Sequence, residues 1–167
     1  DYIDPLVNHV AKTHFMSGGR IRVPMVIRLP NGGKGGNAAP HSQSMEAWFL
    51  HVPGLRVAMP SSPRDAKGLL KTAIRGDDPT VFIEDKLLYF HPGEVPEEEE
   101  TIPFGSAAVV REGDDVTIVA LGWMVNRAVA AAKELEESGI RAEVVDPRTL
   151  NPLDMGTIVA SVRKTGR

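Results

Sequence analysis

Hydrophobic and polar residues recur along the chain with two different periods, which predict helices and strands in turn. Across residues 5–16, apolar side chains stand at helical spacing among polar ones, and Gly18-Gly19 ends the segment. The run VPMVIRLP, residues 23–30, is short, apolar and rich in β-branched side chains, which is typical of a buried strand. A short amphipathic helix is then predicted to begin near Ser44.

Two further apolar runs, residues 56–60 and 79–85, predict strands on either side of a longer helix. Ser62 can cap that helix, Pro63 suits its first position, and Gly76 ends it. Because strands and helices alternate, the pattern predicts an α/β layer built on a parallel sheet.

Residues 91–104, HPGEVPEEEETIPF, interrupt this alternation with three prolines and four consecutive glutamates. Such a segment is typical of a solvated linker or an exposed strap that crosses between two units. A docking signal made by the acidic run is the alternative interpretation.

The alternation resumes with a strand predicted at 115–122, a helix that ends at Gly139 and a strand at 141–147. Asp154 can begin a final helix that runs to Lys164. From about residue 105 onward we expect three strands, two of which the pattern locates, and two helices, and such a unit is too small to bury a comfortable core alone. We therefore expect the chain to be a piece of a longer protein.

The composition excludes some kinds of site and partner. The 167 residues contain no cysteine, which excludes disulfides and thiolate metal sites, and they have a formal net charge of −3. This balance gives no electrostatic reason to expect nucleic acid or a membrane surface as a partner. No apolar run approaches the ~20 residues of a membrane span. We expect a protein of the cytoplasm or, in a eukaryote, of the mitochondrial matrix.

The stretch NGGKGGNAAPHSQS, residues 31–44, places four glycines ahead of His41. Such a loop lets backbone approach a ligand closely, but its spacing matches neither G-x-G-x-x-G nor G-K-[ST]. His41 follows the carboxyl end of a strand, where open α/β sheets bind ligands, and it can exchange a proton near neutral pH. The alternative is a histidine that hydrogen-bonds the loop to Ser42, Gln43 or a carbonyl group.

The run from Pro40 to Tyr89 resembles the β subunit of the thiamine-diphosphate-dependent first component of 2-oxo acid dehydrogenase complexes. Further matching motifs are SGGRIRVPMVIRLPNGG, DVTIVALGWMV and VVDPRTLNPLD. The family includes pyruvate, branched-chain 2-oxo acid and acetoin dehydrogenases. The resemblance implies the C-terminal part of a transketolase-like pyrimidine-binding domain at 1–92, a linker at 93–104, and the N-terminal part of a transketolase C-terminal-like domain at 105–167.

The resemblance also assigns roles to single residues. His41 matches the family's active-site histidine, which faces the reacting carbon of thiamine diphosphate. Tyr2 matches an aromatic residue that packs on the aminopyrimidine of the cofactor. The glutamate that protonates this ring in the family lies upstream of the segment that matches Asp1, so we expect the chain alone to be inactive.

A structural potassium ion is a further implication of the resemblance. The matching ligands are mostly backbone carbonyls, as suits a hard cation, and they correspond to Val23, Met25, Val26, Ala73, Gly76 and Asp78. Gly76 and Asp78 depart from the acidic residue and the asparagine that are common in the family. A plain helix C-terminus that ends at Gly76 is the alternative.

The resemblance implies an enzyme subunit that pairs with an α subunit in an α₂β₂ heterotetramer. The α subunit would hold the Mg²⁺-diphosphate end of thiamine diphosphate. The reaction would be oxidative decarboxylation of a small 2-oxo acid with acyl transfer to the lipoylated acyltransferase component. The alternatives are an acetoin dehydrogenase β subunit and a truncated, non-catalytic α/β scaffold or docking module.

Overall fold

The computed structural model describes residues 2–33 and 37–167, and the central residues of the glycine loop, 34–36, lie outside them. In the described residues, the helices are a π-helix, two 3₁₀ turns and five α-helices: Pro5–Val10 (π), α1 Thr13–Met16, Ala39–His41 (3₁₀), α2 Glu46–Leu50, α3 Pro63–Arg75, Leu88–Phe90 (3₁₀), α4 Trp123–Glu137 and α5 Met155–Thr165. The strands are β1 Val26–Asn31, β2 Arg56–Ala58, β3 Thr80–Asp85, β4 Ala108–Arg111, β5 Val116–Val119, β6 Ala142–Asp146 and β7 Thr149–Asn151. Within the described residues, no helix is long and apolar enough to cross a membrane.

The first sheet has the strand order β1-β3-β2-β7. Its first three strands are parallel, as the alternation predicts, with Val26 opposite Thr80 at the start of β1 and β3. Apolar residues of β2 and β3 face both sides of the sheet, which the buried faces of a parallel sheet require. One face packs against the π-helix and α2 and the other against α3.

The second sheet has the strand order β4-β6-β5, with β4 antiparallel and β5 parallel to β6. The apolar stripe of α4 packs against β6 through Val125, Ala128 and Ala132, opposite Ala142 and Val144. Both sheets are thus mixed, because each gains an antiparallel edge strand that the pattern of strands and helices did not predict.

Several helix ends confirm the sequence prediction. The hydroxyl of Ser62 accepts from the amide of Asp65 at 3.1 Å and caps α3, which ends just before Gly76. The carboxylate of Asp154 accepts from the amide of Thr157 at 3.0 Å and caps α5. Each capping group satisfies an amide that has no partner within its helix.

Three other predicted boundaries are wrong. The helix expected over 5–16 is a π-helix followed by the short α1, and the chain between them turns at Ala11. The strand expected to begin at residue 23 begins at Val26; Pro24 lacks the amide hydrogen that a strand ladder uses. The helix α2 begins at Glu46 rather than near Ser44.

The proline-rich segment at 93–104 has no helix or strand, yet it packs along α3. Ile102 is buried against Leu69, and its amide donates to the carbonyl of Gly68 at 3.3 Å. Arg64 of α3 forms a forked hydrogen bond to the carboxylate of Glu100. We call residues 93–104 the strap, since this segment is fastened to the first sheet's helix rather than fully solvated.

The two sheets are joined by β7 and by a buried cluster of polar side chains. The strand β7 follows β6 directly and pairs with β2 of the first sheet. The hydroxyl of Ser61 donates to the carboxylate of Asp146, and Arg148 forms an ion pair with Asp65 at 2.9 Å. We call Ser61, Asp65, Asp146 and Arg148 the polar clasp.

Candidate functional site

The glycine loop leaves the first sheet at the carboxyl end of β1 and is fastened there by Asn31. The amide group of this buried residue donates to a carboxylate oxygen of Glu46 at 2.7 Å and accepts from the amide of Met45 at 2.9 Å. The amide of Gly32 donates to the carbonyl of Gln43 at 2.9 Å, which closes the loop at its base. The two ends of the loop are therefore held together beside the start of α2.

Gly32 has a φ of +79°, a conformation that favours glycine. A Cβ atom at this position would also lie 3.4 Å from a carboxylate oxygen of Asp85. The loop thus passes close to the end of β3, which stands beside β1 in the sheet.

His41 is the last residue of the 3₁₀ turn and lines a cleft of about 360 Å³. We call this the His41 cleft. Its remaining lining residues come from the start of the chain, the end of β1, the loop and α2, and the turn after β3: Ile3, Leu29, Pro30, Asn31, Pro40, Gln43, Met45, Phe49 and Lys86. The lining thus combines apolar side chains with polar side chains from the loop and from the ends of β1 and β3.

The structure gives little support to the loop-bonding alternative for His41. Within the part of the chain that the structure describes, no residue hydrogen-bonds its imidazole. The hydroxyl of Ser42 donates to the carbonyl of Ala38 at 2.9 Å instead. The main-chain carbonyl of His41 accepts from the ammonium group of Lys86.

Tyr2 and the cleft are not brought together. The Tyr2 side chain is 90% exposed, whereas its neighbour Ile3 lines the cleft. The carbonyl of Tyr2 accepts from the amide of Leu6 at 3.2 Å, so residue 2 directly precedes the helical turn that leads into the π-helix.

The potassium ligands implied by the resemblance are brought together in part. Thr80 connects two of them, because its amide donates to the carbonyl of Met25 at 2.8 Å and its hydroxyl to that of Asp78 at 3.3 Å. Val26 lies opposite Thr80 in the sheet. The carboxylate of Asp78, however, accepts from Arg56 at 2.6 Å, which already neutralises its charge.

The other three members of that set are Val23, Ala73 and Gly76. The carbonyl of Val23 accepts from Met25 at 2.9 Å, and that of Ala73 accepts from Gly76 at 3.3 Å as α3 ends. In residues 2–33 and 37–167, no group of three or more histidine or acidic side chains could hold a metal ion. Several of these backbone carbonyls already accept one hydrogen bond, so a cation would have to bind to their remaining lone pairs.

Asp85 and Lys86, at the end of β3, are functional candidates that the sequence analysis missed. The carboxylate of Asp85 accepts from the amides of Leu87 at 2.9 Å and of Trp123 at 3.2 Å. Asp85 therefore caps α4 of the second sheet, whose own Ncap residue, Gly122, has no side chain to do so. The available signal was their position, directly after a buried strand at the ligand-binding edge of a sheet.

Burial dominates the electrostatics of the polar clasp. The Asp146 side chain is fully buried, and this burial raises its pKa from 3.8 to about 6. The hydroxyl of Ser61 and the amide of Arg148, at 2.8 Å, oppose the shift by donating to the carboxylate. Arg148 has a φ of +61°, a conformation uncommon outside glycine.

Comparison with protein families agrees with the two-sheet architecture. The family described as the transketolase pyrimidine-binding domain matches residues 1–92, and the transketolase C-terminal domain matches residues 105–167. The chain belongs to the family of the transketolase pyrimidine-binding domain, which its residues 1–92 match. The expected α/β, transketolase-like fold is confirmed.

Curated relatives confirm the resemblance to the β subunits of 2-oxo acid dehydrogenases. The chain is 50% identical to the pyruvate dehydrogenase E1 component subunit beta of Rickettsia bellii, over 99% of its own length and 51% of the relative. It is 52% identical to the beta subunit of acetoin:2,6-dichlorophenolindophenol oxidoreductase from Cupriavidus necator, over 98% of its length and 48% of the relative. The chain thus spans about half the length of the curated relatives it matches.

Solved structures share the fold. A split-gene transketolase, described as an inactive β4 tetramer, superposes with a TM-score of 0.81 at 28% identity, over 98% of this chain and 50% of its own. A transketolase from Pichia stipitis superposes with a TM-score of 0.64 at 20% identity, over 93% of this chain and 24% of its own.

Proposed function

We propose that this chain is part of the β subunit of a thiamine-diphosphate-dependent 2-oxo acid dehydrogenase. The observation that carries the proposal is sequence identity. Along nearly the whole chain, about half of all residues are identical to those of relatives named as β subunits of pyruvate and acetoin dehydrogenases. The position of His41 at the carboxyl edge of a parallel sheet supports it, because ligands bind at this edge in open α/β folds.

Thiamine diphosphate fits the His41 cleft on its chemistry. Apolar lining residues such as Leu29, Met45 and Phe49 suit an aromatic ring, and His41 and Gln43 add polar groups to the same lining. When bound, the cofactor would supply carbanion stabilisation for the cleavage beside the oxo group. His41 would give or take a proton next to the reacting carbon. Tyr2 would pack on the aminopyrimidine once the preceding chain is in place.

The remaining assignments follow from the same proposal. Residues 1–92 and 105–167 would be parts of two domains joined by the strap. An α subunit would complete an α₂β₂ heterotetramer and hold the Mg²⁺-diphosphate end of the cofactor. The acyl group would pass to a lipoylated acyltransferase component in the cytoplasm or mitochondrial matrix. The proposed potassium ligands, mostly through backbone carbonyls, are Val23, Met25, Val26, Ala73, Gly76 and Asp78.

Cleavage of acetoin is a second candidate activity. The 52% identity to the acetoin-oxidising relative is as high as that to the pyruvate dehydrogenase subunits. The residues of the His41 cleft do not distinguish the two substrates, because an α subunit would form part of the substrate pocket.

Reconstitution tests the proposal. The full-length β subunit and its α subunit would be combined with thiamine diphosphate and supplied with pyruvate, branched-chain 2-oxo acids or acetoin, and reduction of an artificial electron acceptor would be followed. We expect thiamine-dependent turnover of one of these substrates. A stable assembly that binds no thiamine diphosphate and turns over none of them would contradict the proposal and favour a scaffold or docking module.

A further inference from the structure

Lys86, directly after β3, lines the His41 cleft and contacts the turn formed by residues 38–42, which we call the His41 turn. The amide of Lys86 donates to the carbonyl of Asn31 at 3.1 Å, so its backbone continues the pairing of β1 and β3. Its ammonium group donates to the main-chain carbonyl of His41. We propose that Lys86 is a positioning residue that fixes the His41 turn and thereby the imidazole; its catalytic consequence rests on the proposed function.

The His41 turn needs such a support because its other bonds are local. The amide of His41 donates to the carbonyl of Ala38 at 3.2 Å, and that of Ser42 donates to Ala39 at 3.3 Å. Within residues 2–33 and 37–167, Lys86 is the only side chain outside the loop that hydrogen-bonds to this turn. An exposed single turn of 3₁₀ helix is otherwise weakly held.

Lys86 can act as a support because the chain on both sides of it is fixed. Asp85 accepts from Leu87 and from Trp123, which ties the turn after β3 to the start of α4. The Lys86 side chain is half-buried and lines the same cleft as His41. A charged donor on a carbonyl oxygen is stronger than a neutral pair, so the contact suits a positioning role.

The first test compares three variants of the full-length β subunit, each assembled with the α subunit. Lys86→Met keeps the apolar stem and removes the donor, whereas Lys86→Arg restores a cationic donor. We expect Lys86→Met to lower kcat about tenfold with KM for the 2-oxo acid unchanged, because small displacements of catalytic groups have effects of this kind. We expect Lys86→Arg to keep most of the wild-type kcat. Lys12→Met is the matched control, because Lys12 also donates to a main-chain carbonyl, that of Pro53 at 2.6 Å, outside the cleft.

A double-mutant cycle separates positioning from general support of the fold. If Lys86 acts through His41, Lys86→Met has no further effect on kcat in a His41→Ala background. An equal loss in both backgrounds would overturn the proposal, as would a wild-type kcat for Lys86→Met in an active enzyme.

Hydrogen exchange tests the same contact without requiring activity. We expect the amides of His41 and Ser42 to exchange faster in Lys86→Met than in the wild-type assembly, and at the wild-type rate in Lys12→Met. Unchanged exchange would overturn the role of Lys86. An inactive wild-type assembly would instead count against the proposed function, and exchange would still decide the role of Lys86.

Discussion

At the scale of single residues, His41 is the group on which the proposed chemistry depends. We expect His41→Ala to lower kcat for acyl transfer to lipoate at least about 100-fold, because removal of a general acid or base has effects of this order. The same loss is expected for His41→Asn, which keeps hydrogen-bonding capacity but cannot titrate. His51→Ala is the control, since this exposed histidine ends α2 outside the cleft. Equal acyl transfer in all variants would remove His41 from the mechanism.

Gly54 tests a different claim, that the π-helix and the loop after α2 meet without room for a side chain. Its φ is +101°, and a Cβ atom would lie 1.9 Å from the carbonyl oxygen of Ala11. We expect Gly54→Ala to lower the Tm of the full-length subunit strongly, because a backbone atom must move. Gly139→Ala is the matched control, because Gly139 has a φ of +78° and a Cβ atom there would have no atom within 4 Å. This variant should lose only about 1 kcal/mol of unfolding free energy. Equal Tm values for the two variants would contradict the contact.

At the scale of elements, we expect the buried side chain of Ile102 to hold the strap more strongly than its exposed charges do. Ile102 packs on Leu69 beside Gly68, so we expect Ile102→Ala to cost about 2–4 kcal/mol in unfolding free energy. Glu100→Gln removes the exposed pair with Arg64 and should cost much less, since solvent screens such pairs. Urea denaturation measures both, and a larger loss for Glu100→Gln would contradict this account.

The elements that the sequence predicted well are those with their own end signals. The helix α3 has Ser62 before it and Gly76 after it, and both signals are local. The edge strands β4 and β7 were missed because they are short and their antiparallel pairing depends on distant partners. The strap was predicted as a solvated linker or an exposed strap, since its composition conceals Ile102 and Phe104, which pack against the first sheet and its helix.

The candidate site, too, could be predicted from the sequence only in part. The glycine-rich spacing and the position after a strand indicate His41 from the linear order of residues alone. The contacts from Lys86 to His41 and from Asp85 to Trp123 join residues 45 and 38 positions apart, and nothing in a linear pattern encodes them. Residue type and local order predict which side chain does the chemistry, whereas tertiary contacts decide how that side chain is positioned.

At the scale of the whole molecule, the polar clasp at the junction of the two sheets makes the stability of the fold depend on pH. Because the folded protein raises the pKa of Asp146 from 3.8 to about 6, the protonated form favours folding. This contribution is complete below pH 3.8 and is lost as the pH rises through about 6. The ionised carboxylate thus costs up to roughly 3 kcal/mol at neutral pH.

Asp146→Asn mimics the protonated acid and should remove this dependence. We expect the variant to gain Tm relative to wild type as the pH rises from about 4 to 7, because only the wild type must bury a charge. Asp114→Asn, which alters an exposed pair with Arg141, should show a difference that does not vary in this way. A constant difference for Asp146→Asn would contradict the assignment.

The central claim is that a thiamine ring lies against His41 in the assembled protein, and a crystal structure of the full-length α₂β₂ assembly with thiamine diphosphate tests it most directly. We predict that the thiazolium lies in the His41 cleft, with the imidazole within hydrogen-bonding reach of the reacting centre directly or through one water. A thiazolium bound elsewhere, with the imidazole of His41 turned away from it, would contradict the account.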